Sequence, residues 1–252
     1  QSSLLLLTTL LCAGRAQGAP QGELDATFGE NGRLMIGSRY GSILGNAVAQ
    51  QPTDGKLVAA GATWDTPSGR YDFAVLRQNP DGSPDHAFGT SGAVLIDFGG
   101  SADIATDLAV QVDGKIVVAG YAGFGPADAP NFDIALTRLN QDGSIDSTFG
   151  GDGRVTLDLG GRDEYAAKVA LLPDGKIVVV GGTNRDGDHE VLLARFDADG
   201  TLDTTFGTGP VAGTTLVNSS GGVDQQPYGM TIQADGKFIA CGQSGPRAYD
   251  AA

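Results

Sequence analysis

The chain has 252 residues, enough for one large domain or two small ones, and a hydrophobic share of 40% excludes a disordered tail. Forty glycines and eleven prolines are too many for a helical protein and fit one built from many tight turns. A formal charge of −14 argues against nucleic acid or an anionic membrane as partner.

In chain order, QSSLLLLTTLLCAGRAQGAP comes first. Residues 1–19 read as a hydrophobic export signal followed by small residues, with a cut after Gly18 or Ala19. The apolar run is too short to span a bilayer, so no membrane insertion is expected after cleavage. No initiating Met or basic start precedes it, so the signal is expected to be N-terminally truncated. Cys12 lacks the small residue just before it that lipidation requires. Cys241 is then the only mature thiol, which leaves no internal disulfide. It stands where Ala60, Ala119 and Val180 stand in other copies of a repeat, so a small buried residue is expected there.

From residue 20 onward the chain repeats itself. DGKLVAAG at 54–61 returns as DGKIVVAG at 113–120, DGKIVVVG at 174–181 and DGKFIACG at 235–242. Its turn glycines are Gly55, Gly114, Gly175 and Gly236. A second phrase, Asp-x-x-Phe-Gly, keeps the same period of about sixty residues and supplies Asp25 and Phe28, Asp85 and Phe88, Asp146 and Phe149, Asp203 and Phe206. A third, Asp-Gly-Ser/Thr-x-Asp, precedes three of these as DGSPD 81–85, DGSID 142–146 and DGTLD 199–203. The units run over about 22–81, 82–142, 143–199 and 200–252, the last incomplete.

Each unit reads as four short strands. In the third these are RVTLDL 154–159, YAAKVALL 165–172, KIVVVGG 176–182 and EVLLARF 190–196. The first alternates Val155 and Leu157 with Thr156 and Asp158, as a half-buried strand does. The third is a continuous β-branched run, as expected of a strand covered on both faces. Asp-Gly between the second and third strands predicts a tight hairpin whose two central residues both take positive φ. After the fourth strand a longer connection follows, in which Asp side chains accept backbone N–H groups and the Phe plugs an apolar gap between units. Each fourth strand opens with an acid (Asp72, Asp133, Glu190, Asp250), and three close with Arg77, Arg138 and Arg195. Ion pairs or hydrogen bonds between neighbouring units are expected of them. The fold class predicted is all-β, with β-propeller blades of four antiparallel strands.

Asp-x-x-Phe-Gly, two strands, DGKIVVAG, an Arg-ended strand and DGS-x-D at a sixty-residue period together resemble the delta-60 repeat. That family is found in exported bacterial proteins and is regarded as forming β-propellers. The resemblance covers about residues 22–252 and implies fold and export, but it carries no catalytic residues with it. In the fourth copy GPVAGTTLVNSSGG is looser than the pattern. The chain ends at YDAA, aligned with YDFAVL at 71–76, so a partial propeller is expected, a piece of a longer array of about seven or eight blades.

Candidate chemistry is sparse. His86 and His189 fall where other copies carry Ala26 and Tyr71, and read as surface substitutions outside any nucleophile–His–acid triad. DADGTLD 197–203 resembles the start of a calcium loop, with Asp197, Asp199 and Asp203 as ligands. Its third Asp and twelfth-position Glu are missing, and self-capped turns explain the same residues. No other metal or cofactor is expected. NSS at 218–220 is a glycosylation sequon. The rim bearing DGK and DGSxDxxFG is nearly invariant, whereas TWDTPSGR 63–70, YAGFGPADAPN 121–131, GTNRDGD 182–188 and VNSSGGVDQQP 217–227 vary. Binding is therefore expected on the variable rim, through Trp64, Tyr121, Phe124 and Arg185. The function read is an exported, periplasmic, surface or secreted scaffold that binds an extracellular protein or glycan without catalysis. The alternative is a propeller enzyme acting on extracellular glycans.

Overall fold

The computed structural model describes residues 24–34, 43–65, 69–126, 129–185, 188–217 and 223–246. The segment expected to direct export, the sequon, Asp250 and the chain end lie outside the described residues, as does most of the first unit's leading strand.

Among the described residues every regular element is a β-strand. The first sheet holds β1 (Ile43–Gln50), β2 (Leu57–Asp65), β3 (Arg70–Gln78) and β4 (Ala93–Ile96). The second holds β5 (Asp103–Val110), β6 (Ile116–Phe124), β7 (Asn131–Leu139) and β8 (Arg154–Leu157). The third holds β9 (Glu164–Leu171), β10 (Ile177–Arg185), β11 (Asp188–Phe196) and β12 (Thr214–Val217). A pair, β13 (Val223–Ile232) and β14 (Phe238–Pro246), follows. Within each sheet every strand is antiparallel to its sequence neighbour. These are propeller blades.

The blades stand one strand out of step with the sequence unit. A unit's first strand does not pair with its second; β4, β8 and β12 join the fourth strand of the unit before. The connection folds back to place them there. Asp85 N–H donates to Arg77 O at 3.0 Å and Arg77 N–H to Gly92 O at 2.9 Å, a pattern repeated at Arg138 and Arg195.

The inner strands β1, β5, β9 and β13 pack against one another in succession. Each carries a bulge, at Asn46, Thr106, Ala167 and Tyr228. The bulged side chain reaches the next inner strand: Asn46 Nδ2 donates to Ala105 O at 2.8 Å and Thr106 Oγ1 to Ala166 O at 2.7 Å. Opposite each bulge lies the last glycine of the repeated phrase. A Cβ at Gly120 would stand 2.0 Å from Ile104 O, and at Gly181 1.8 Å from Tyr165 O. The bulge pushes a carbonyl into space that only a glycine leaves open.

The core lies between blades. Ile116, Val117, Val118 and Ala119 of β6 and Ile177, Val178, Val179 and Val180 of β10 are fully buried, as expected of strands covered on both faces. Cys241 departs from the expectation: it is exposed. Its equivalents Ala60 and Ala119 pack against the inner strand of the following blade, whereas no further blade follows β13–β14 among the described residues.

The hairpin turns also differ from expectation. Only the glycine has positive φ (72° at Gly55, 80° at Gly114, 86° at Gly175, 81° at Gly236). Gly114 N–H donates to Gln111 O and Gln111 N–H to Lys115 O, which encloses three residues, 112–114. This is an ordinary turn followed by a left-handed glycine, so the residue before each Asp belongs to the loop. The Asp accepts the Lys N–H two residues on (Asp113 Oδ1 to Lys115 N, 3.1 Å).

Candidate functional site

The two rims of the blades have different chemistry. On the first, DGK, the closing Arg and DxxFG form one clasp per blade. Asp146 Oδ2 accepts Lys115 Nζ at 2.8 Å and Arg138 Nε at 2.7 Å, while its Oδ1 accepts the Thr148 N–H and hydroxyl. Asp85 with Lys56 and Arg77, and Asp203 with Lys176 and Arg195, repeat the arrangement. Burial opposes ionisation of Asp146, but Lys115, Thr148 and Arg138 outweigh it and hold the carboxyl well below the usual range. The same balance lowers Asp85. For Asp203 the Thr205 hydroxyl leads, followed by Lys176.

Two of the arginines also bridge blades. Arg77 Nη1 donates to Gln141 O and Arg138 Nη1 to Ala198 O. Their guanidiniums lie 4.5 Å and 4.8 Å from the ring centroids of Phe88 and Phe149. Gly29, Gly89 and Gly150 donate backbone N–H groups to Asp81, Asp142 and Asp199 O of the following turn. Arg77 and Arg138 thus reach neighbouring units as expected, but through backbone carbonyls. The opening acids Asp72, Asp133 and Glu190 lie toward the far end of strands about 30 Å long, away from the clasp.

Phe28, Phe88 and Phe149 are buried plugs. Phe206 is only half-buried, packed edge-on to Phe238 at 6.0 Å, because no further DGS turn covers it among the described residues. Asp25 Oδ1 accepts the Thr27 N–H and hydroxyl.

The calcium-loop acids do not converge as ligands. Asp199 Oδ1 accepts the Thr201 N–H and hydroxyl, Asp203 is clasped, and Asp197 pairs with Lys176. The self-capped turn accounts for them.

The second rim carries the β2–β3, β6–β7 and β10–β11 connections, which are shorter than expected. Trp64, Tyr121, Phe124 and Arg185 lie in strands, because the glycines that seemed to end each third strand are interior bulge partners. Trp64 is exposed and meets its cross-strand neighbour Tyr71 edge-on, with centroids 5.0 Å apart. Tyr121 and Phe124 are half-buried, Tyr121 against Phe132 at 5.4 Å and Phe124 against the core. The Arg185 side chain lies outside the described residues, so the structure places one of the four candidates openly on this rim.

This rim also holds acids whose grouping the sequence reading missed. One carboxylate oxygen from each of Asp72, Asp97 and Asp103 lies within 4.8 Å of the others, and the same holds for Asp133, Asp158 and Glu164. Burial pushes Asp103 up to about 6, opposed by the Phe98 N–H and reinforced by Asp97 and Asp72. Burial likewise pushes Asp133 to about 6 and Glu164 to about 7, with Asp158 adding to both. A signal was available: Asp72/Asp133, Asp97/Asp158 and Asp103/Glu164 all recur at the repeat period.

Residues 53–88, 111–149 and 172–206 match a β-propeller domain of unknown function, DUF5122. Each stretch runs from the DGK turn to the clasp phenylalanine. No curated protein matches the sequence. Similar solved structures include an endo-arabinase from Bacteroides thetaiotaomicron, with a TM-score of 0.44 and 13% identity over 77% of this chain and 67% of that one. A GH32 β-fructofuranosidase from Bombyx mori gives 0.44 and 14% over 82% of this chain and 42% of that one. A GH43_12 protein retrieved from a capybara gut metagenome gives 0.44 and 13% over 82% and 40%. The chain thus spans about two fifths of the length of the last two. Among the described residues no helix is long and apolar enough to cross a membrane. With the hairpin-and-clasp segment of three successive units matching a propeller domain, and those segments building its blades, the chain is a propeller-type repeat protein.

Proposed function

We propose that this is an exported repeat scaffold of the delta-60 type. It binds an extracellular protein or glycan, without catalysis, through the rim that carries the β2–β3, β6–β7 and β10–β11 connections. The observation that carries this reading is the division between the two rims. On one, the recurring Lys, Arg, Asp and Phe are engaged with each other and with the next blade. On the other, connections of unequal length and composition stand on rigid strands, with Trp64 exposed beside Tyr71. Variable loops on a repeated frame are where specificity is usually built, and an exposed aromatic pair suits the face of a sugar or an apolar side chain.

The test exchanges the β2–β3 and β6–β7 connections for those of another array and measures binding to arrayed cell-surface glycans and purified surface proteins. Loss of binding is expected. Binding that survives the exchange but is lost when the DGK rim is altered overturns the assignment of face. The rival reading, an enzyme acting on extracellular glycans, predicts release of reducing sugar from those glycans, and the scaffold reading predicts none.

A further inference from the structure

The acids at the junctions between blades sit where charge is hardest to accommodate. Asp72 lies near the start of β3, Asp97 follows β4, and Asp103 opens β5 in the next blade. Asp133, Asp158 and Glu164 repeat this between the second and third blades. Asp103 and Glu164 are completely buried. Asp103 Oδ2 accepts the Phe98 N–H at 2.7 Å, while its Oδ1, also buried, meets no hydrogen-bond donor. A buried carboxylate oxygen beside two further carboxylates is costly unless a cation balances it.

Among the described residues, the basic group that acts on Asp103 does so from a distance: the Arg70 guanidinium donates to Gly100 O at 3.1 Å. At the second junction both oxygens of the buried acid are engaged, Glu164 Oε2 by the Leu159 N–H at 3.2 Å and Oε1 by the Thr183 hydroxyl at 2.9 Å. The donor set is oxygen only, which selects hard cations over zinc or copper. Ca²⁺ accepts irregular sets of carboxylate and carbonyl oxygens, whereas Mg²⁺ demands a near-ideal octahedron and keeps several of its waters. An acid set gathered from two blades suits the more tolerant ion.

We propose that the protein binds one Ca²⁺ ion at the first of these junctions, through Asp72, Asp97 and the unmatched Oδ1 of Asp103. The ion ties the outer strands of the first blade to the inner strand of the second. The third junction supplies an internal control: Gln225 stands in the register position of Asp103 and Glu164, so its set lacks the buried acid. This site is independent of whatever the rim aromatics bind.

The test is a calorimetric titration of the EDTA-stripped full chain with CaCl2, with melting followed in parallel. One Ca²⁺ per chain and a higher melting temperature are expected. Asp103→Asn should abolish uptake, with melting then indifferent to Ca²⁺. Glu164→Gln, at the second junction, and Asp199→Asn, at a capped turn on the other rim, should keep the ion. In EDTA Asp103→Asn should melt no lower than the parent, because it removes an unbalanced charge without changing shape. Should Asp103→Asn fail to fold, the exposed Asp97→Asn reads the same site. No uptake of Ca²⁺ at millimolar concentration by the parent, or uptake retained by Asp103→Asn, overturns the proposal.

Discussion

Gly143 of one turn lies beneath the ring of Phe88 from the blade before: a Cβ at 143 would stand 3.0 Å from Phe88 Cδ2. Gly82 under Phe28 and Gly200 under Phe149 repeat the contact, and all three glycines have positive φ. The glycine of DGS is therefore fixed twice, by its backbone conformation and by the ring that the neighbouring blade lays over it.

Phe88→Ala and Phe149→Ala should each cost about 3–5 kcal/mol, since both rings are fully buried between blades. Phe206→Ala should cost clearly less, because its ring is half-exposed. Urea denaturation of the three variants gives the ranking. Equal losses would show that burial between blades is not what makes these rings stabilising.

Gly120→Ala should destabilise by about 3 kcal/mol or more, at or beyond the upper end of typical overpacking, because the clash is with the Ile104 carbonyl and no rotamer relieves it. Gly125→Ala, with its nearest contact at 3.9 Å, carries only the strain of its positive φ and should cost less. Melting temperatures decide between them.

Asp146→Asn should cost about 3–5 kcal/mol near neutral pH, leaving Lys115 and Arg138 without their carboxylate. The folded state holds this carboxyl below its unfolded value, so the clasp is at full strength above the ordinary carboxylate range of about 4 and weakens as pH falls. The stability gap between parent and variant should narrow from about pH 5 to about pH 2. A gap independent of pH would mean that the ion pair contributes nothing.

Trp64→Ala should weaken ligand binding at least about tenfold while leaving melting nearly unchanged, since the ring is exposed and packs mainly on Tyr71. Tyr121→Ala should act the other way, lowering stability through its half-buried contact with Phe132. Surface plasmon resonance and thermal melts separate the two effects.

Strand content, blade architecture and the clasp residues were legible because each recurs: a β-branched run buried on both faces reads the same in β6 and β10. Strand ends were less so. Gly120 and Gly181 looked like terminators because the bulge that requires them lies in another strand, and pairing across strands leaves no local mark. Sheet membership failed for a related reason, since the bonds that hand β8 to β7 form through the folded-back connection around Arg138. The acidic junctions draw on three strands from two blades. Their spacing was visible, but their convergence depends on how the blades pack.

Because each sixty-residue segment gives its leading strand to the blade before it and receives one from the segment after, no blade is encoded by a single contiguous repeat. Duplicating one such segment in the gene delivers a piece whose front end fits the gap left by any predecessor and whose back end accepts any successor. The array can lengthen or shorten in whole segments without redesign of a neighbour, and a cut made between segments leaves one blade short of its outer strand while every covalent unit remains whole.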